Sequence, residues 1–76
     1  MIGLFKSKGE RELEGLYESM KINLQNNYKE PAHNDRKRIG ERTEALFREG
    51  KISEKVYKKY IRIYDEYTIK LKDYHH

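Results

Sequence analysis

Few side chains in this sequence are placed to carry chemistry. A nucleophile needs a base beside it and a third group that orients the base. The hydroxyls on offer are Ser7, Ser19, Ser53, Thr43 and Thr68, and the chain has only three histidines, His33, His75 and His76. Ser7 and Ser53 sit where helix N-caps are needed, Ser19 falls inside a helical stretch, and Thr43 and Thr68 lie at the margins of packed faces. His75 and His76 occupy the extreme C-terminus, where order is least expected. Glu30-Pro31-Ala32-His33 spells the Glu-x-x-His pair that di-iron carboxylate bundles use twice, but it occurs once here, across an expected helix start. Gly50-Lys51 lacks the earlier glycine and the strand of a phosphate loop. The expectation is therefore a non-enzymatic chain with no catalytic residues, no metal and no cofactor.

Charge is the more informative feature. Seventeen Lys and Arg against thirteen Asp and Glu give a net charge of +4 over 76 residues. Residues 1–30 carry five basic and five acidic groups, residues 31–50 five and four, and residues 51–76 seven and four. Two basic clusters stand out, Lys55, Lys58, Lys59 and Arg62 in the last third, and Arg36, Lys37, Arg38 and Arg42 in the middle. Together they could contact phosphates while tyrosines stack on bases, which makes electrostatic nucleic-acid binding the alternative reading. Asp65, Glu66 and Asp73 share the same polar side, however, and interspersed charge is how soluble helices stay solvated.

The elements that would position these groups are legible from punctuation and spacing. Ser7-Lys8-Gly9-Glu10 is a capping box that starts a helix at about residue 8, with Leu13, Leu16, Tyr17, Met20, Leu24 and Tyr28 on one face. A second helix is expected from Pro31 to Glu49, since proline is tolerated in a first turn. Its apolar face of Ala32, Ile39, Leu46 and Phe47 is thin, and Arg36 and Thr43 stand where better core residues would. Gly50 fits the left-handed position that closes a helix, and Ser53-Glu54 restarts one. From Glu54 to about Tyr74, the residues Tyr57, Tyr60, Tyr64, Tyr67, Leu71 and Tyr74 alternate at spacings of three and four, and only Ile69 falls out of place. With about 100° per residue, the apolar arc of this third helix spans roughly 160° to 180°, enough to touch two neighbours. The fold expected is all-α, an antiparallel three-helix bundle made of a helical hairpin and a long Tyr-rich third helix. Residues 1–7 form an arm, 8–74 a single domain, and 75–76 a frayed end. Locally, Leu46, Gly50-Lys51-Ile52-Ser53 and Tyr57 look like the helix, glycine turn and helix of SHOCT domains, which would imply self-association or protein binding. Lys55 and Val56 replace the acidic pair of that motif, and generic capping chemistry accounts for the rest, so no membership follows.

Composition bounds the remaining readings. With 39% charged and 36% hydrophobic residues, a chain this short buries only about 60% of its unfolded surface, so deep clefts are not expected. The absence of cysteine excludes disulfides and thiolate chemistry and fits a reducing, cytoplasmic setting. Met1 to Phe5 is far too short for a signal peptide or a membrane span. Ile2, Leu4 and Phe5, even with Lys6 and Lys8, supply only weak contact with a membrane surface. Seven tyrosines and no tryptophan leave one positive expectation. Most of these rings fill the core, and the surplus, Tyr64, Tyr67 and Tyr74, together with Leu71, meets a protein partner or a second copy of the chain as a homodimer.

Overall fold

A computed structural model describes residues 6–72, which form three helices, α1 (Lys8–Gln25), α2 (Lys29–Arg48) and α3 (Glu54–Lys72), with no strand among the described residues. Ile2, Leu4, Phe5, Tyr74, His75 and His76 lie outside the described residues. The chain is a three-helix bundle as expected. No helix of the described residues is long and apolar enough to cross a membrane.

Each helix begins and ends for an identifiable local reason. The Glu10 amide donates to Ser7 Oγ at 3.1 Å, and the Val56 amide donates to Ser53 Oγ at 3.2 Å, so both serines act as N-caps. Helix α2 starts at Lys29, two residues before the expected Pro31, and its N-cap, Tyr28, makes no side-chain cap bond. Pro31 thus occupies the third helical position, where its missing N–H would have had no carbonyl to reach. The first ladder bond belongs to Ala32, which donates to the Tyr28 carbonyl. Both inter-helix turns close as Schellman motifs. At the first, Asn27 takes the left-handed conformation (φ 62°) and the Tyr28 amide reaches the Asn23 carbonyl. At the second, Gly50 does so (φ 73°) and the Lys51 amide reaches Leu46.

The first turn corrects the expected helix boundary. Asn27 ends α1 early, so Tyr28 leaves the core face and stands 57% exposed in the connection. Asparagine tolerates positive φ better than most residues with a side chain, which is the physical reason for the stop.

Packing is uneven around the bundle. The α2 backbone approaches both α1 and α3 closely, whereas α1 and α3 are mainly bridged by side chains. Tyr17 of α1 meets Tyr60 and Tyr67 of α3 edge to face, with ring centroids 6.5 and 6.0 Å apart. Leu13, Met20, Ala32, Ile39, Leu46, Ile52, Tyr60 and Ile63 form the buried cluster. Gly9 lets the start of α1 press on the second turn, since a Cβ there would stand 3.0 Å from Ile52 Cγ2. Phe47 is not core. It is 40% exposed and stacks on Tyr57.

Two core positions generate tests. Thr43 is fully buried and its hydroxyl has no partner. An unsatisfied buried hydroxyl costs free energy that an isosteric methyl does not, so Thr43→Val should raise stability in urea unfolding by about 1 kcal/mol. Burial pushes the Tyr60 phenol up to about 12, above the value of an unfolded chain. A raised folded-state pKa means that the stabilisation is complete below the unfolded value and is lost as pH rises through the folded one. Alkaline unfolding should therefore set in between about pH 10 and 12. Tyr60→Phe should delay that onset in a circular-dichroism pH titration.

Candidate functional site

Three helices enclose three grooves, and the polar side chains divide among them. In the α1/α2 groove, Asp35 Oδ2 accepts from Ser19 Oγ at 2.7 Å and from Asn23 Nδ2 at 2.9 Å. About two turns along, the Arg42 guanidinium grips Glu12 through Nε and Nη2. This two-point bond from Arg42, with Arg38 adding to it through space, holds the Glu12 carboxyl below its ordinary value. Ser19 is thereby committed to a structural bond, as Ser7 and Ser53 are to capping.

The α1/α3 groove gathers Lys55, Lys58, Lys59, Arg62 and Glu66 beside Tyr17 and Ile63. Its charge is mixed. Glu10, Glu14 and Glu18 of α1 all act on the buried Tyr60 phenol from the facing side. Lys59 contributes to holding the Glu14 carboxyl low, behind the larger effect of the Lys6 ammonium bonded to it. Lys58 is already paired with Glu54 one turn earlier.

The α2/α3 groove mixes charged side chains with a ring and a glycine. Lys37, Gly40, Glu41, Glu44, Ile61 and Tyr64 line an open cleft of about 390 Å³. Its floor depends on Gly40, because a Cβ there would stand 2.6 Å from Tyr64 Cε1, inside contact distance. The Tyr64 ring therefore lies against the α2 backbone, with the Arg36 guanidinium 5.3 Å from its centroid. Arg36 Nη1 donates to Thr68 Oγ1 at 2.9 Å, and its Nε is buried without a partner. At the other end the exposed Phe47 ring stacks on Tyr57 at 4.3 Å, and the Tyr57 hydroxyl donates to Glu44 Oε2. That bond is the main reason the Tyr57 phenol titrates above its ordinary value.

Of the residues expected to meet a partner, the three that are described are thus not brought together. Tyr64 faces α2, Tyr67 is half-buried against Tyr17 on the α1 side, and Leu71 is 1% exposed, committed to the interior. The two expected basic clusters are separated as well. Lys55, Lys58, Lys59 and Arg62 share one groove, Arg38 and Arg42 turn toward Glu12, and Arg36 and Lys37 lie on the α3 side of α2. Spacing along α2 carried this split, because Arg36 and Arg38 differ by about 200° around the axis. Phe47 with Tyr57 is the surface feature the sequence reading missed. Among the described residues no group of three or more His, Asp or Glu side chains is arranged to hold a metal ion. No family model, curated protein or solved structure matches this chain.

The Gly40 and Tyr64 contact can be measured against an internal reference. Gly15 has nothing near its missing Cβ, so Gly15→Ala should gain the full helix propensity of about 1 kcal/mol. Gly40→Ala should gain much less or lose, because the Tyr64 ring must swing out. Equal gains in urea unfolding would show that the ring does not rest there.

Proposed function

We propose that this chain is a small non-enzymatic interaction module that associates with a second copy of itself through the α2/α3 face. The carrying observation is the exposed Phe47 ring stacked on Tyr57, continued along the same groove by Ile61 and Tyr64. In a chain with 39% charged residues, aromatic surface left in contact with water is the feature that calls for a partner. Of the other large exposed apolar residues, Ile22 and Ile69 do not extend it. Ile22 and Ile69 each lie about 180° from the buried seam of their own helix. The absence of cysteine supports a reducing compartment such as the cytoplasm as the setting.

A polyanion reading has one observation in its favour, the gathering of Lys55, Lys58, Lys59 and Arg62 into one groove. Against it stand the acidic α1 residues acting on that groove and the internal bonds that hold Arg36 and Arg42. Such binding would weaken steeply with added salt.

Sedimentation of the full chain distinguishes the two readings. The apparent mass should rise with concentration, and Phe47→Ser should weaken association about tenfold while leaving helicity intact. A concentration-independent monomer that binds a mixed-sequence oligonucleotide at low salt would replace self-association with the polyanion reading.

A further inference from the structure

The α2/α3 face carries a charge pattern as well as rings. His33, Lys37, Gly40, Glu44 and Phe47 recur along α2 at spacings of four and three and so form one stripe beside the groove. Within it Lys37 lies one turn to one side of Gly40, and Glu44 lies one turn to the other. Both are exposed. Neither belongs to any of the ion pairs in the described residues, although Lys37 has Glu41 at the i+4 position where such pairs form readily. Glu44 is bonded to the uncharged Tyr57 hydroxyl instead.

We propose that two copies of this chain dock α2/α3 face to α2/α3 face in an antiparallel, two-fold arrangement. The axis passes near Gly40 and Tyr64, and Lys37 of each copy lies opposite Glu44 of the other. This rests on the self-association reading above and specifies its geometry. A two-fold interface is self-complementary, so a patch must match itself after rotation. With a basic group on one side of the centre and an acidic group on the other, antiparallel docking sets opposite charges together. Parallel docking, about an axis along the groove, would instead set α2 of each copy over α3 of the other and give Lys37 and Glu44 no mutual pairing. The same rotation carries the exposed Phe47 of each copy to the His33 turn of the other and covers a ring that the bundle leaves in water.

Magnitudes assign the roles. The stripe from His33 to Phe47 is about 21 Å long at 1.5 Å per residue, and two packed helices present a face about 20 Å wide. Docking therefore buries roughly 800 Å² in total, at the weak end of specific interfaces. Exposed ion pairs add little affinity, so the rings hold the copies together and the charges choose their direction.

The test uses Lys37→Glu and Glu44→Lys in the full chain, both at exposed positions, with circular dichroism confirming unchanged helicity. Each variant alone should dimerise at least about tenfold more weakly than the unaltered chain in sedimentation equilibrium. An equimolar mixture should recover association, because the two acidic groups along the stripe of the Lys37→Glu partner then face the two basic groups of the Glu44→Lys partner. Recovery on mixing cannot come from structural damage by either substitution, including loss of the Tyr57 bond. If the unaltered chain dimerises but the variants dimerise equally well, or their mixture stays monomeric, the antiparallel geometry is overturned and self-association stands. If the unaltered chain stays monomeric up to about 1 mM, both fall.

Discussion

The sparse backbone contact between α1 and α3 is the constraint on which the rest of the structure depends. Their backbones stay apart, so a side chain must span the gap, and Tyr60, 1% exposed, does so with Tyr17 against its edge. A phenol suits that position, because its ring supplies a large apolar area while its hydroxyl finds a polar rim. Tyrosine thus replaces the leucines and isoleucines that a chain with 36% hydrophobic residues does not have in number. The same constraint places the acidic side of α1 opposite the basic side of α3, where the attraction between them supports the bundle across the gap and occupies the field that a polyanion would use.

Helix α2 pays for contact with both neighbours in polar groups. Wedged between α1 and α3, it has inward positions to fill on two flanks, and it fills several with Thr43, Asp35, Arg36 and Arg42. Asp35 and Arg42 are satisfied by Ser19, Asn23 and Glu12 of α1. Arg36 finds only Thr68 and the Tyr64 ring on the α3 side, and the Thr43 hydroxyl finds nothing. The α1/α2 flank is therefore closed by directional, charge-assisted bonds, while the α2/α3 flank is closed by rings and a glycine. The α2/α3 flank leaves an exposed ring, Phe47 over Tyr57, at its end. That ring directs the proposed contact to the α2/α3 side.

Most of the fold was legible residue by residue. Ser7, Gly50 and Ser53 mark helix ends by chemistry that acts within four or five residues, and the tyrosine register of α3 reports its buried face directly. The misreadings came where one residue type serves two purposes. Asn27 reads as an ordinary helical surface residue until its left-handed backbone ends α1 and expels Tyr28. Phe47 reads as core by its type, yet it lies far enough around α2 from Ile39 to reach only the rim, over Tyr57. The candidate site was less legible, because Tyr64 and Tyr67 are adjacent on the seam but their rings fall on opposite sides of it, one to α2 and one to α1.

The sequence by itself determined how many helices form, where α1 and α3 start and, Tyr28 and Phe47 apart, which stripe of each turns inward, since capping, backbone conformation and periodicity are local properties of the chain. Only the tertiary structure decided which groove each side chain enters. It sent Arg36 to Thr68 and Arg42 to Glu12, gathered the α3 lysines beside Tyr17, and left Phe47 in water. The physical reason is that a groove is made by two helices together. Its lining depends on their separation and rotation about one another, and packing fixes those only after every inward side chain has found its volume.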